Sequence, residues 1–224
     1  MRSALNWFLT ALFILAVSIL IITFSIGLPI YCRFFYYAHI NALDIPKITG
    51  YEYSEIKQAY DQVLNYLTLP NVEFGTGVFA HSQEGASHFA DCKMLFNLNI
   101  ISLLCSATIV LTLFFLDKKK IIKMYRIKEF FPAFYSAILI FVTVGVLGAI
   151  ISVNFDSAFT VFHKLFFPGK DNWTFHPAYD EIILALPQQF FMNCAILIGS
   201  SISVICLTII ICNLVRKAKK NKND

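Results

Sequence analysis

Four long apolar runs divide the chain into alternating hydrophobic and polar segments. They cover residues 7–31, 94–116, 132–153 and 190–215, and none of them contains a charged side chain. A helix needs about 20 apolar residues to cross a bilayer, whereas a barrel strand needs about 10 with alternating polarity, so each run predicts a transmembrane helix. The pattern predicts an all-α membrane protein with four transmembrane helices, forming a single integral membrane domain over residues 1–224.

Two shorter helices are predicted in the polar connections, residues 32–93 and 154–189. Ser54 is expected to be the N-cap of an amphipathic helix of about 15 residues that ends before Pro70, because apolar side chains recur there at helical spacing. In residues 157–167, aromatic side chains share one helical face. That stretch is too short to span a bilayer and too apolar for water, which favours an interfacial position.

Composition and charge agree with a membrane protein and give it an orientation. Hydrophobic residues make up 58% of the 224 residues and charged ones only 14%. Twelve of the 18 basic residues lie at Arg2, in the loop 117–131 or in the tail 216–224. The positive-inside rule therefore predicts that these segments and both termini are cytoplasmic and that the two long connections are extracytoplasmic. The net charge of +4 is thus accounted for by membrane anchoring, and nothing favours a nucleic-acid partner.

The first apolar run is expected to remain as an anchor. It has roughly 24 apolar positions, whereas the apolar core of a cleaved signal peptide has about 7–15. We therefore predict an uncleaved first helix.

The densest group of titratable side chains lies at the entry to the second apolar run. His88, Asp91, Cys92 and Lys93 occupy six residues there. On a helix His88 and Asp91 are i, i+3 neighbours, so the carboxylate can accept a hydrogen bond from one ring nitrogen and leave the other as a base. Lys93 falls on a different face. A histidine and a lysine at a helix entry can also be purely interfacial residues.

A second imidazole, His163, lies in the aromatic face of residues 157–167. Both His88 and His163 are predicted on the extracytoplasmic side beside membrane-facing aromatic rings. Two imidazoles that meet at the headgroup level suggest acid–base chemistry on a lipid ester. His39 and His81, in polar loop sequence, are expected to be solvated.

Several other kinds of function compete with this interpretation. A zinc site built from His88, Asp91, Cys92 and His163 has acceptable ligand types but no diagnostic spacing. A transporter or channel is disfavoured because no ionisable residue lies inside any predicted span. A non-enzymatic membrane sensor or accessory protein remains open. So does another lipid-ester enzyme, such as a phospholipid acyltransferase or a lipase, although there is no GxSxG motif.

Two motifs resemble a known family. Residues 85–93 (GASHFADCK), residues 162–173 (FHKLFFPGKDNW) and, in support, residues 187–191 (PQQFF) are similar to the lipoprotein intramolecular transacylases, a family of bacterial four-helix membrane proteins. The resemblance covers essentially the whole chain. Two departures are Cys92, where a valine is expected, and the glutamines at 188 and 189, where an acidic residue is common.

The resemblance implies an acyltransferase of the bacterial cell membrane that uses no cofactor. The substrate would be a lipoprotein whose N-terminal cysteine carries a diacylglyceryl group, with membrane lipid around it. The sn-2 acyl chain would move to the α-amino group of the same cysteine and leave an N-acylated lyso-lipoprotein. The resemblance places the catalytic histidines at His88 and His163. Asp91 is then expected to orient His88 as the base.

Two features of that reaction remain open. The oxyanion could be supported by Lys93, by His163 or by backbone N–H groups. Attack by the amine could be direct, which we favour, or could proceed through an acyl-histidine intermediate.

Overall fold

The computed structural model describes residues 2–222, with side chains from Ala4 onward. Met1, Asn223, Asp224 and the Arg2 side chain, part of the predicted cytoplasmic charge, lie outside the described residues. Within that range the chain is helical, with one isolated bridge between Ile127 and Phe130. The helices are α1 (Arg2–Tyr31), α2 (Arg33–Ala42), α3 (Ile45–Thr49), α4 (Tyr53–Thr68), α5 (Gln83–Lys118), α6 (Ala133–Val153), α7 (Phe155–Phe166), α8 (Ile182–Ala185) and α9 (Gln188–Asn221).

Four of these helices are long and apolar enough to cross a membrane, namely α1, α5, α6 and α9. The predicted all-α fold with four transmembrane helices is therefore confirmed, as are helices in the first and third connections. Helix α5 has 36 residues. At 1.5 Å per residue it is about 54 Å long, well beyond a hydrocarbon core of about 30 Å. Its polar first residues therefore extend beyond the apolar run that begins at Met94.

The chain folds into two compact units. One contains the residues up to Ile26, together with Ile100–Ile150 and the residues from Ile198 onward; the other contains Gly27–Asn99 and Ile151–Leu197. A single domain over the whole chain stays a prediction. All the candidate catalytic residues belong to the second unit.

In the first unit, a loop after α5 is held by side chains of the long helices. Its core consists of buried apolar residues from these helices and the loop, among them Phe13, Ile21, Met124 and Ala137. The loop amides of Met124, Tyr125 and Phe131 donate to the side chains of Asp117, Thr10 and Asn213, respectively. Because these N–H groups are satisfied by side-chain acceptors, the loop has a fixed course without forming a helix.

The second unit is built around α2 and α4. The rings of Tyr36 and Tyr60 stack with centroids 3.7 Å apart, and the Tyr36 hydroxyl donates to the Ala185 carbonyl at 2.7 Å. At the edge of this core Arg33 pairs with Asp61 at 2.6 Å. These contacts join the segment before α5 to the segment before α9.

Helix α4 begins earlier than its sequence pattern predicts. The N-cap is Glu52, and the predicted N-cap Ser54 lies inside the helix. The backbone N–H of Glu52 donates to the Glu55 carboxylate at 2.9 Å. This capping interaction from the third helical position outweighs the usual preference for serine at the cap.

Candidate active site

The start of α5 is fixed by a residue from a distant part of the chain. Asp180 accepts hydrogen bonds from the Ser82 backbone N–H at 2.8 Å and from its hydroxyl at 2.9 Å. The Ser82 hydroxyl in turn accepts the Gly85 N–H at 2.9 Å. A Cβ atom at Gly85 would collide with the Asp180 carboxylate, so the close approach requires glycine. This cap sets where the first turns of α5, and therefore His88, begin.

His88 is buried in an aromatic environment. The residue is 7% exposed. Its ring makes edge contacts with Phe167 and Phe175 at centroid distances of 4.9 and 5.4 Å. Nε2 lies 3.4 Å from the Cys92 sulfur. Nδ1 is buried and has no hydrogen-bond partner among the described residues. One ring nitrogen is therefore left for a substrate.

His163 is equally buried, at 7% exposed, but one of its nitrogens is fully used. Nδ1 lies 2.8 Å from the Phe159 carbonyl oxygen. A carbonyl only accepts, so Nδ1 carries the proton and Nε2 keeps a free lone pair in the neutral ring. Burial lowers the pKa of His163 from its usual value, and the hydrogen bond to Phe159 partly opposes that shift. The structure thus favours a neutral imidazole with a defined tautomer.

The two predicted histidines lie side by side. Their ring centroids are 5.7 Å apart, with the planes inclined at 33°. Phe167 contacts both rings, and Trp173 stacks on His163 at 4.8 Å. The two imidazoles therefore share a largely apolar, aromatic surrounding.

Asp91 makes a different interaction from the one its spacing suggests. Its carboxylate accepts from Lys170 Nζ at 2.5 Å and from Asn172 Nδ2 at 3.0 Å, whereas no hydrogen bond to His88 is formed. Asp91 therefore ties α5 to the loop after α7. The Trp173 indole N–H donates to the Lys170 carbonyl at 2.9 Å, so this tie also supports the tryptophan stacked on His163.

Lys93 also points to a different partner. Its ammonium lies over the Tyr66 ring at 4.2 Å. The structure thus places the Lys93 ammonium against α4. His39 and His81 bond locally to the Phe35 carbonyl and the Thr76 hydroxyl.

Asn172 is not among the candidate residues that the sequence predicts, where it is only one position of the motif 162–173. Its NH₂ group faces the Asp91 carboxylate, which can only accept, so the orientation of the amide is determined. The other atom, Oδ1, is buried and finds no donor among the described residues. In the sequence Asn172 stands out only because it precedes Trp173. That position does not indicate that its side-chain oxygen is buried without a donor.

A metal centre is not formed by these residues. Within residues 2–222, no group of three histidine, cysteine, aspartate or glutamate side chains converges in a way that would hold an ion.

The family is shown by comparison with known proteins. The family model described as "Lipoprotein intramolecular transacylase Lit" matches residues 11–191. The chain belongs to the lipoprotein intramolecular transacylase family. It is therefore an acyltransferase, and the alternatives of a non-enzymatic sensor and of a transporter do not hold. No curated protein sequence gives a match.

Solved structures of a transacylase share this fold. The membrane-integral lipoprotein intramolecular transacylase Lit from Bacillus cereus is 27% identical, with a TM-score of 0.82 and a coverage of 99% of both chains. Two variants of that protein, in which a histidine is replaced by arginine or by alanine, are each 25% identical with a TM-score of 0.77. The match to the arginine variant covers 98% of this chain and 96% of the variant chain. The match to the alanine variant covers 97% of each chain. The transacylase fold thus extends over nearly the whole chain, which is a multi-pass membrane protein.

Proposed function

We propose that this transacylase moves the sn-2 acyl chain of a diacylglyceryl lipoprotein to the α-amino group of the same N-terminal cysteine. A bond forms between the amine nitrogen and the ester carbonyl carbon, and the bond from that carbon to the sn-2 oxygen breaks. The amine proton ends on that oxygen as a hydroxyl, so the product is an N-acylated lyso-lipoprotein. The observation that carries the proposal is the pair of buried histidines 5.7 Å apart within a transacylase fold.

The intramolecular character of the reaction makes a small site sufficient. Nucleophile and ester belong to one molecule, so the protein chiefly has to hold them in an attack geometry. Such positioning can be worth about 7–11 kcal/mol of barrier. The aromatic surroundings of the two histidines suit the glycerol and the first carbons of the acyl chains.

We assign the base to His163. Its Nδ1 proton is committed to Phe159, which leaves Nε2 as the acceptor for the amine proton. Its lowered pKa keeps the ring neutral, and therefore able to accept a proton, at neutral pH. This differs from the sequence-based hypothesis, in which Asp91 made His88 the base, because Asp91 is bonded to Lys170 and Asn172.

His88 is assigned to the ester. Its unpartnered Nδ1 is available to donate a hydrogen bond to the tetrahedral oxyanion in the neutral ring that carries the proton there. In the two-step alternative His88 would be in the other tautomer, with the proton on Nε2. Nδ1 would then attack the ester carbonyl carbon, the bond to the sn-2 oxygen would break and that oxygen would take up a proton, and the acyl group would afterwards pass from Nδ1 to the amine. Direct attack needs only one tetrahedral intermediate and remains our preference. Trapping with hydroxylamine at neutral pH distinguishes the two, because an acyl-histidine is activated enough to yield an acyl hydroxamate there and an ordinary oxygen ester is not.

Asn172 is assigned to the substrate amine. Its Oδ1 is an acceptor whose direction is set by Asp91, and a buried unpaired acceptor is unfavourable by about 1–3 kcal/mol. The N–H group of a bound α-amine would satisfy it. Asn172 Nδ2 also lies 3.4 Å from the hydroxyl of Ser87, the residue before His88, and Trp173 stacks on His163. The amine would thus be held beside both histidines.

The site is assigned to the extracytoplasmic face of the bacterial cell membrane. Along the chain, one apolar run separates the basic loop 117–131 from each of the connections that carry His88 and His163, and another separates the second connection from the basic tail. Such basic segments stay in the cytoplasm, which supports an extracytoplasmic position for the connections. Lipoprotein substrates anchored by their acyl chains would reach the histidines from the membrane plane.

The test uses the purified full-length chain and a synthetic diacyl lipopeptide. Substrate and product are isomers, so fragmentation in the mass spectrometer has to show the acyl chain on nitrogen. We expect His88→Ala and His163→Ala each to lower product formation by about 100- to 10,000-fold, the range for a lost general acid or base. His176→Ala, at an exposed position, is the matched control and should keep the activity.

Two outcomes would contradict the proposal. N-acyl lyso-lipopeptide made at the normal rate by the double variant would remove the histidines from the chemistry. In a mixture of substrates with labelled and unlabelled acyl chains, exchange of labels between molecules would show that transfer is not intramolecular. A separate incubation with phospholipid tests whether another ester serves as donor.

A further inference from the structure

The first compact unit contains a cavity whose lining includes neither His88 nor His163. It has a volume of about 870 Å³ and is formed by the end of α5, the following loop and Arg216 of α9. Ligand pockets commonly have volumes of about 300–1,000 Å³, so it is large enough for a small-molecule headgroup. Its wall is lined by Phe114, Asp117, Lys118, Lys120, Ile122, Lys123, Met124, Arg126, Phe131 and Arg216.

The charges around the cavity are strongly unbalanced. Five of the lining side chains are cationic and one, Asp117, is anionic. Asp117 is already engaged, because it accepts the Met124 N–H at 2.8 Å and lies 3.9 Å from the Arg126 guanidinium. Lys118, Lys120 and Lys123 form no ion pair within the described part of the chain. A concave wall that gathers unpaired cations focuses a positive potential and favours an anion.

The remaining lining is apolar and lies at the boundary of the membrane. Phe114, Ile122, Met124 and Phe131 contribute hydrocarbon surface to the same cavity. The apolar run of α5 ends at Leu116, and that of α6 begins at Pro132, so the loop between them runs at headgroup level. A ligand that fits both surfaces carries a phosphate together with an apolar portion.

We propose that this cavity binds an anionic phospholipid, with the phosphate among Lys120, Lys123 and Arg216 and the glycerol region against Phe114 and Phe131. Basic pockets between transmembrane helices bind anionic headgroups in this way. The backbone favours a stable site, because the loop amides of Met124, Tyr125 and Phe131 are held by side chains of the helices. The lipid would thus occupy a preformed cavity.

The experiment compares lipids bound to the full-length protein. The protein is reconstituted in nanodiscs of phosphatidylcholine alone or mixed with phosphatidylglycerol, and retained lipid is measured by native mass spectrometry together with the unfolding midpoint. We expect phosphatidylglycerol to be retained preferentially and to raise the midpoint. Inorganic phosphate is the second arm, and an equal rise with phosphate alone would overturn the assignment to a lipid.

Matched variants distinguish lipid binding in the cavity from general electrostatic attraction of anionic lipid to the basic surface. The triple variant Lys120→Ala, Lys123→Ala and Arg216→Ala removes three lining cations. The control Lys119→Ala, Lys219→Ala and Lys222→Ala removes the same charge from exposed residues outside the cavity. Attraction to an anionic surface would affect the two triples alike. A hydrogen bond to a charged group adds about tenfold or more, so we expect the first triple to lose at least about tenfold more affinity than the control.

Equal losses in the two triples would overturn the proposal, because the binding would then reflect surface charge alone. Misfolding does not obscure the result, since the preference of the wild-type protein for phosphatidylglycerol over phosphatidylcholine is measured without any variant. Absence of that preference would overturn the proposal as well.

Discussion

At the scale of single residues, the protonation state of His163 is controlled by burial. Its pKa is lowered because its ring is covered by Trp173 and neighbouring phenylalanines. A base must be neutral, so a lowered pKa keeps it competent at more acidic pH. We expect the acid limb of the kcat profile to lie below pH 6.5, the ordinary value for histidine.

Removing the stacked tryptophan should move the acid limb of the kcat profile to higher pH. Trp173→Ala admits water to His163, stabilises the imidazolium and raises the pKa. The limb should shift upward by up to about one pH unit, equivalent to about 1.4 kcal/mol of imidazolium solvation. The other tryptophan, Trp7, stacks on Tyr125 in the first compact unit, so Trp7→Ala is the matched control. An unchanged limb in Trp173→Ala would argue against His163 as the titrating base.

The assignment of Asn172 can be tested with a ligand that lacks the amine. A deamino lipopeptide binds but cannot react, and a neutral hydrogen bond is worth about 0.5–1.5 kcal/mol. The wild-type protein should bind the amine form about 2- to 10-fold more tightly than the deamino form. Asn172→Ala should bind the two forms equally. Because damage to the fold affects both ligands alike, the ratio isolates the contact.

The control for that experiment is Ser87→Ala, which removes only the longer 3.4 Å contact to Asn172 and should preserve the preference. A preference that survives in Asn172→Ala would assign amine recognition to another group. Initial rates with the reactive lipopeptide, measured in parallel, show whether transfer itself is intact.

Helical spacing predicted which residues lie close together better than it predicted which hydrogen bonds they form. His88 and His163 could be singled out because imidazoles are unusual in apolar and aromatic sequence, and their rings do lie 5.7 Å apart, whereas their catalytic role stays a prediction. Asp91 does lie one turn from His88, yet its carboxylate bonds to Lys170, 79 residues away in the chain. Spacing along a helix determines which side chains share a face. It carries no information on which distant loop folds over that face.

At the scale of elements, the first turn of α5 depends on one close contact. Gly85→Ala would drive a methyl group into the Asp180 carboxylate and break the bonds to Ser82. Overpacking of this kind costs typically about 1–3 kcal/mol. We expect a lower unfolding midpoint and reduced lipopeptide turnover, because His88 lies one turn further along the helix.

Glycines elsewhere in the long helices provide the control. A Cβ at Gly145 or Gly199 would meet nothing within 4 Å. Replacement by alanine there should be neutral or should stabilise the helix by up to about 1 kcal/mol. If Gly85→Ala behaved like these two, the Asp180 cap would not be what positions the start of α5.

The same contact explains why element boundaries were less predictable than the elements. Hydropathy alone identified four spans, since about 20 consecutive apolar residues have few other uses. The start of α5 at Gln83, well before the apolar run, is set by Asp180 from the segment before α9. A cap supplied from about 100 residues away leaves no local pattern, and the same limit applies to the loop 119–132 held by helix side chains.

At the scale of the whole molecule, orientation depends on charge distribution. Eleven of the 14 acidic residues lie in the two long connections, and twelve of the 18 basic ones lie in the segments predicted to be cytoplasmic. Translocating a short, lysine-rich loop is unfavourable, so the segments rich in Lys and Arg are retained inside. The histidine pair, in the connections, is then expected outside.

Labelling with a membrane-impermeant thiol reagent in intact cells tests this orientation. The background carries Cys32→Ser, because Cys32 is exposed in the first connection, whereas exposed Cys105 and Cys212 lie within apolar runs that lipid shields. Tyr179→Cys, at a residue 68% exposed, should react in intact cells, and Lys119→Cys only after the cells are opened. The reverse pattern would place the histidines in the cytoplasm, where a lipoprotein with its modified cysteine in the outer leaflet could not reach them.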